Sequence, residues 1–121
     1  MKIVNKPWGY EKWLHEGKYV LKEIFIKKGF KTSLQYHKKK TETNYIIRGK
    51  AKLQWSIVGY EIKKKGDYFH VNPNEAHRVE ALTDLLMIEA STPEVDDIVR
   101  LEDDYDRGNG RIDSEHEEDN K

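Results

Sequence analysis

Short runs of alternating apolar and polar residues, cut again and again by turn signals, limit this chain to a β fold. Residues 19–28 read YVLKEIFIKK, with Val20, Ile24 and Ile26 on one face. Gly29 interrupts the pattern, and residues 32–37 resume it. Residues 44–47 form another apolar run, closed by Arg48-Gly49-Lys50 as a hairpin turn. Residues 51–62 read as two strands around Gly59. Gly66-Asp67 is the next turn, residues 68–71 the next strand, and Asn72-Pro73-Asn74 a loop. Residues 78–81 and 85–90, separated by Thr83-Asp84, complete the set. Runs this short predict an all-β sandwich or barrel. One short C-terminal helix is expected over 93–101, with Thr92 as cap and Pro93 in the first turn.

The chain has 121 residues, enough for one hydrophobic core. From Gly108 onward, GNGRIDSEHEEDNK carries one aliphatic residue among many charges. Such a segment buries too little apolar surface to offset the entropy of ordering. The expected organisation is a domain over 1–107 and a disordered acidic tail over 108–121. With no cysteine, disulfides and thiolate metal sites are excluded. Lysine plus arginine balances aspartate plus glutamate at 22 each, but most bases precede Gly66 and most acids follow it. The bases are scattered through strand-like stretches rather than massed in an arm, so the two halves are expected to offset each other on one surface, with no nucleic-acid partner. The opening MKIVNKPWGYEKW lacks the apolar run of a signal peptide, and no stretch is long enough to span a membrane. A cytoplasmic protein without a membrane partner is expected.

Gln35 and His37 are two apart, so on a strand they share a face. Glu42 follows the basic turn Lys38-Lys39-Lys40-Thr41, and His77 lies just past the Asn-Pro loop. Two imidazoles, a carboxylate and an amide oxygen form a mixed nitrogen and oxygen set that suits a borderline divalent metal. Zn2+ is the first choice, with Mn2+, Fe2+, Co2+ and Ni2+ as alternatives. On spacing alone, a surface histidine, a capping glutamate and a loop histidine with its bonds satisfied would produce the same pattern. His70, on the strand before His77, is a further candidate for the cavity. Trp8, Trp13 and Trp55 read as core or lid packing.

Residues 29–49 resemble the first cupin motif, G-x5-H-x-H-x4-E-x6-G, with Gln35 at the first histidine. Residues 66–77 resemble the second, keeping the interval from Gly66 to His77 but with Pro73 displaced by one and the second glycine missing. Within that superfamily the chain is similar to the cupin domain of type II mannose-6-phosphate isomerases, usually the C-terminal domain of a bifunctional mannose-1-phosphate guanylyltransferase. The likeness rests on Lys6-Pro7-Trp8-Gly9, Leu21-Lys22-Glu23-Ile24, Ser33-Leu34-Gln35-Tyr36-His37 and Lys40-Thr41-Glu42. It continues through Ile88-Glu89-Ala90-Ser91, Asp96-Asp97-Ile98-Val99-Arg100 and Glu102-Asp103-Asp104-Tyr105-Asp106-Arg107. Lys40 stands for an arginine of the family pattern, Asp106 for a glycine, and Thr43-Asn44 for a His-Trp pair. The changes at Lys40 and Thr43-Asn44 are expected near the barrel mouth.

The resemblance implies a single-domain cupin, a double-stranded β-helix or jelly-roll barrel, holding one metal through Gln35, His37, Glu42 and His77. It implies a small sugar phosphate as partner and interconversion of mannose 6-phosphate and fructose 6-phosphate through an enediol. No guanylyl transfer is expected. Glu89 is the first candidate base: simple alternation would allow it to face outward, and the family match favours inward. Lys22 is the second, on the face of Val20, Ile24 and Ile26, where the alternative is a buried stem with an exposed head. Ser33, Lys40, Arg100 and Arg107 are the candidate substrate contacts, the arginines being better suited to bidentate phosphate binding. Other sugar-directed isomerases or epimerases, a non-catalytic sugar-binding cupin and an iron dioxygenase share the fold. Cupins commonly pair, and a homodimer is expected.

Overall fold

The computed structural model describes residues 2–56, 59–94, 96–105, 107–112 and 114–115. The expectations for Asp106 and for the tail past 115, His116 included, lie outside the described residues. Eleven strands run in chain order: β1 (Lys2–Lys6), β2 (Gly9–Glu16), β3 (Val20–Ile26), β4 (Leu34–His37), β5 (Glu42–Arg48), β6 (Lys50–Trp55), β7 (Gly59–Lys64), β8 (Tyr68–Val71), β9 (His77–Ala81), β10 (Leu85–Ser91) and β11 (Ile98–Glu102). They form a six-stranded sheet in the order β1-β2-β3-β10-β5-β8 and a five-stranded sheet in the order β11-β4-β9-β6-β7. Every paired strand is antiparallel. This is the all-β, two-sheet barrel that the alternation predicts.

Period-two alternation decides what each strand contributes inside. In β3 the buried positions are Val20, Lys22, Ile24 and Ile26, and in β10 they are Leu85, Met87, Glu89 and Ser91. Register then aligns these side chains in rows across the first sheet. Leu85 faces Ile26; Met87 faces Ile24 and Ile46; Glu89 faces Lys22 and Asn44; Ser91 faces Val20 and Glu42. One end of the barrel is therefore apolar and the other polar. Leu53, Ala51, Val79 and Ala81 from the second sheet complete the core, and Phe69 and Val71 of β8 carry apolar cover into the rows of Asn44 and Glu42. Complete burial of a leucine or isoleucine such as Leu53 or Ile46 stabilises the fold by about 1.5–3 kcal/mol. The turn between β5 and β6 needs Gly49: its φ is +96°, and a Cβ there would collide with the Asp84 carbonyl oxygen.

Three features depart from the sequence expectations. β1 and β2 extend the first sheet through residues that the alternation does not mark as strands. The helix expected over 93–101 is not formed among the described residues, because Ile98–Glu102 pairs with β4 as β11, Ile98 opposite His37 and Arg100 opposite Gln35. The β-branched Ile98-Val99 suits an edge strand, and the Thr92 hydroxyl accepts a bond from Thr41 N at 3.0 Å instead of capping a helix. Residues 108–110 also fold back on the barrel. Gly110 N donates to Ile98 O at 3.0 Å, and Arg100 N donates to Asn109 Oδ1 at 2.8 Å. The boundary expected at 107 is therefore not where contact with the barrel ends. No helix among the described residues is long and apolar enough to cross a membrane.

Candidate active site

The polar end of the barrel holds a chain of alternating buried charges. Lys22 Nζ lies 3.2 Å from Glu11 Oε1 and 4.0 Å from Glu89 Oε2. Lys40 Nζ lies 2.9 Å from Glu89 Oε2 and 3.6 Å from Glu42 Oε1. Asn44 Nδ2 donates to Glu42 Oε2 at 2.8 Å. Lys22, Lys40, Glu42 and Glu89 are each no more than 5 % exposed, so their charges act with little screening. Burial would raise the pKa of Glu42, but Lys40, His77 and His37 pull it down to about 2. Glu11 is likewise pushed up by burial and held well below the usual carboxylate range, chiefly by Lys22. Glu89 is raised, first by burial and then by the nearby Glu42 charge, against the pull of Lys40 and Lys22. The carboxylates thus separate in role: Glu42 is firmly ionised, while Glu89 has an elevated proton affinity.

Beside this chain stand the proposed metal donors. β4 and β9 pair through a single register position, Gln35 opposite His77. The β8–β9 turn is pinned to the same place by Asn74 N, which donates to His37 O at 2.7 Å; Asn74 has φ +67°. His37 Nδ1 is 2.9 Å from Asp97 Oδ1, and Asp97 Oδ2 accepts from Lys39 N and Lys40 N. That leaves His37 Nε2 buried without a hydrogen bond, 3.5 Å from Glu42 Oε1. Burial and the Lys40 charge lower the His37 pKa to about 4, against Glu42 and Asp97, so its imidazole is neutral near pH 7. A neutral imidazole oriented by a carboxylate, with an unused nitrogen beside another carboxylate, is the donor chemistry a divalent cation needs. Among the described residues no three His, Asp or Glu side chains converge on one centre. The donor types fit a metal held by His37, Glu42, His77 and the Gln35 amide oxygen, and Lys40 would compete with it for Glu42.

The structure places the other candidates as follows. Lys22 and Glu89 both lie on the buried faces of their strands, so the outward alternatives left open by the sequence do not occur. Lys38 and Lys39 are exposed, but Lys40 is 3 % exposed and engaged with two carboxylates, so it is not at the mouth as expected. Asn44 is also buried. Both substitutions line the interior because Glu42 and Glu89 draw polar partners to them. Ser33 is fully buried, and its hydroxyl donates to Gln35 Oε1 at 2.6 Å, which orients that amide rather than meeting solvent. His70 is exposed on β8 and bonds Thr43 and Asn72, outside the cavity. Arg100 and Arg107 line the same cavity as His37 and Glu42. Arg100 Nη1 donates to the carbonyls of Gly108 and Gly110, while Arg107 is clamped by Asp103. Trp8 and Trp13 are buried, and Trp55 stacks obliquely near His77.

Sequence reasoning missed Glu11 and the orienting role of Asp97. Glu11 could have been found, since it shares a strand face with Trp13, whose Nε1 donates to it at 2.9 Å. Asp97 lies in the family-like run Asp96–Arg100, but no local pattern couples it to His37, sixty residues away.

Comparisons with known proteins bear on the fold and the family. The family described as mannose-6-phosphate isomerase C-terminal matches residues 1–103. No curated protein matches the chain. Among solved structures, KdgF from Halomonas sp. aligns with a TM-score of 0.69 at 16% identity, covering 78% of this chain and 89% of that one. A cupin-like protein from Thermotoga maritima aligns with a TM-score of 0.70 at 22% identity, covering 78% and 76%. A sugar phosphate isomerase of the cupin superfamily from Silicibacter pomeroyi aligns with a TM-score of 0.65 at 15% identity, covering 75% of this chain and 64% of that one. These likenesses share the fold. With the family match running through all eleven strands, the chain has the cupin fold and belongs to the mannose-6-phosphate isomerase C-terminal family.

Proposed function

We propose that this chain is a metal-dependent isomerase of a sugar phosphate, with mannose 6-phosphate and fructose 6-phosphate as the pair it interconverts. The observation that carries the reading is Glu89, a buried carboxylate of raised pKa set between Lys22 and Lys40 in the cavity that also holds His37, Glu42 and His77. An aldose–ketose exchange needs a base that takes a proton from C2 and returns it at C1. Glu89 suits that task because burial raises its proton affinity above that of an ordinary carboxylate, while the two ammonium groups keep the ionised form accessible. A divalent ion held by Gln35, His37, Glu42 and His77 would polarise the sugar carbonyl. His37 serves as a donor because Asp97 fixes its ring, and Gln35 because Ser33 fixes its amide. The family match and the sugar phosphate isomerase among the fold relatives support the same class of substrate. A larger nucleotide sugar would be favoured by changes at the mouth, but Lys40 and Asn44 lie inside and alter the surroundings of the carboxylates instead.

The test is a coupled assay of metal-loaded protein on a panel of hexose and pentose phosphates, with Glu89→Gln beside the wild type. Glu89→Gln keeps shape and removes the base, so turnover should fall by about two to four orders of magnitude while metal content is retained. Wild-type turnover of no sugar phosphate with any divalent metal would end the isomerase reading. Equal turnover in Glu89→Gln would remove Glu89 as the base.

A further inference from the structure

At the outer end of the cavity, basic side chains from distant parts of the chain meet one carboxylate. Lys6 Nζ, at the end of β1, lies 2.8 Å from Glu115 Oε1. Arg107 Nη1 lies 3.1 Å from Glu115 Oε2. The side chains of Lys6, Arg107 and Glu115 are 11%, 8% and 9% exposed, so this is no loose surface pair. Arg107 is held in place from its other side, where Nε and Nη2 meet Asp103 at 3.0 and 3.1 Å. Only its Nη1 is turned toward Glu115. Arg100 stands close enough to feel both Arg107 and Glu115, and its Nε is buried without a hydrogen-bond partner. Lys6, Arg100 and Arg107 all line the cavity that contains His37, Glu42 and Glu89.

We propose that Glu115, held by Lys6 and Arg107, occupies the place beside Arg100 and Arg107 that the substrate phosphate would take, so that phosphate must displace this carboxylate and gains Lys6 as a further contact. This rests on the sugar-phosphate reading for the identity of the anion, but not for the existence of the site. Three cations face two carboxylates here, Asp103 and Glu115. With Glu115 withdrawn, the remaining excess of two positive charges matches a phosphate dianion. The two oxygens of Glu115 each engage a different cation, as two oxygens of a phosphate would. The neighbouring Arg111 is paired with Asp96 and leaves that balance unchanged.

The experiment titrates full-length protein with inorganic phosphate at constant ionic strength, without metal or sugar, and follows the backbone amide signals of Gly108 and Gly110 by NMR. Glu115→Gln removes the competing charge at nearly constant size and should bind phosphate about tenfold more tightly than wild type. Adding Lys6→Met to that variant should erase the gain. Glu115→Asp, which keeps the charge on a shorter arm, should fall between the two and reads the effect if Glu115→Gln melts too early to titrate. Equal phosphate affinity across wild type and both Glu115 variants would overturn the proposal, as would a gain that survives Lys6→Met. Because phosphate binding is read apart from turnover, failure here leaves Glu89 chemistry standing, and failure of turnover leaves the subsite standing.

Discussion

The same three strands build both ends of the barrel, yet the two ends obey opposite rules. β3, β5 and β10 supply Ile24, Ile26, Ile46, Leu85 and Met87 to one end, and Lys22, Glu42, Asn44 and Glu89 to the other. The boundary falls between adjacent rows of one sheet, two residues apart along each strand. At the apolar end each side chain stabilises independently of its charge environment. At the polar end no group is stable alone: Glu42 and Glu89 are tolerated because Lys40 sits between them, and Glu11 because Lys22 does. Buried ion pairs of this kind contribute little net stability, but removing one member leaves an uncompensated charge. Stability and chemistry are thus separated along the barrel axis rather than between domains.

The largest effect expected from breaking this contrast is that of Lys40→Met. In metal-free protein it should cost about 3–5 kcal/mol near pH 8. Glu89 is already raised by burial and by Glu42, and without the ammonium its folded-state pKa moves further above its unfolded value. The fold then retains its stability below the unfolded value and loses it as pH rises through the folded one. Urea melts at pH 5 and pH 8 check this, and the same loss at both would mean that Lys40 does not neutralise the pair. Leu53→Ala, at the apolar end, should cost about 2–5 kcal/mol with no such pH dependence. A loss that varied with pH there would erase the distinction between the two ends. The smallest effect belongs to Asp97→Asn, which weakens the grip on His37 from outside the charge chain. Metal affinity, measured by competition with a chelating dye, should fall about 10–100-fold with little change in folding. Unchanged affinity would take His37 out of the donor set.

The pattern of strands from β3 to β10 was legible because half-buried strands write their period into the sequence. The boundaries of β8 agree with the run at 68–71, and Arg48-Gly49-Lys50 makes the expected turn. β1 is not legible, since KIVNK is short and is followed by Pro7, and β11 is masked in the sequence because Thr92-Pro93 imitates a helix start. Gln35, His37, Glu42 and His77 could be nominated from spacing and from the cupin likeness. Lys40 could not be placed: three consecutive lysines look alike in sequence, and only the third turns inward to meet Glu42 and Glu89. Glu115 bonding Lys6 joins positions 109 apart, a distance at which no local pattern operates.

The position of β10 has a consequence for the order of events as the chain folds. It is the tenth strand in sequence, yet it lies between β3 and β5 in the middle of the first sheet. Until residues 85–91 are available, β3 and β5 each present an open hydrogen-bonding edge with no neighbour to fill it. Local hairpins such as β1–β2 and β6–β7 can close early, whereas the central seam requires a long loop to be drawn shut first. The barrel is therefore zipped from its centre last, and the interval before β10 inserts is when two exposed edges are most open to pairing with another chain.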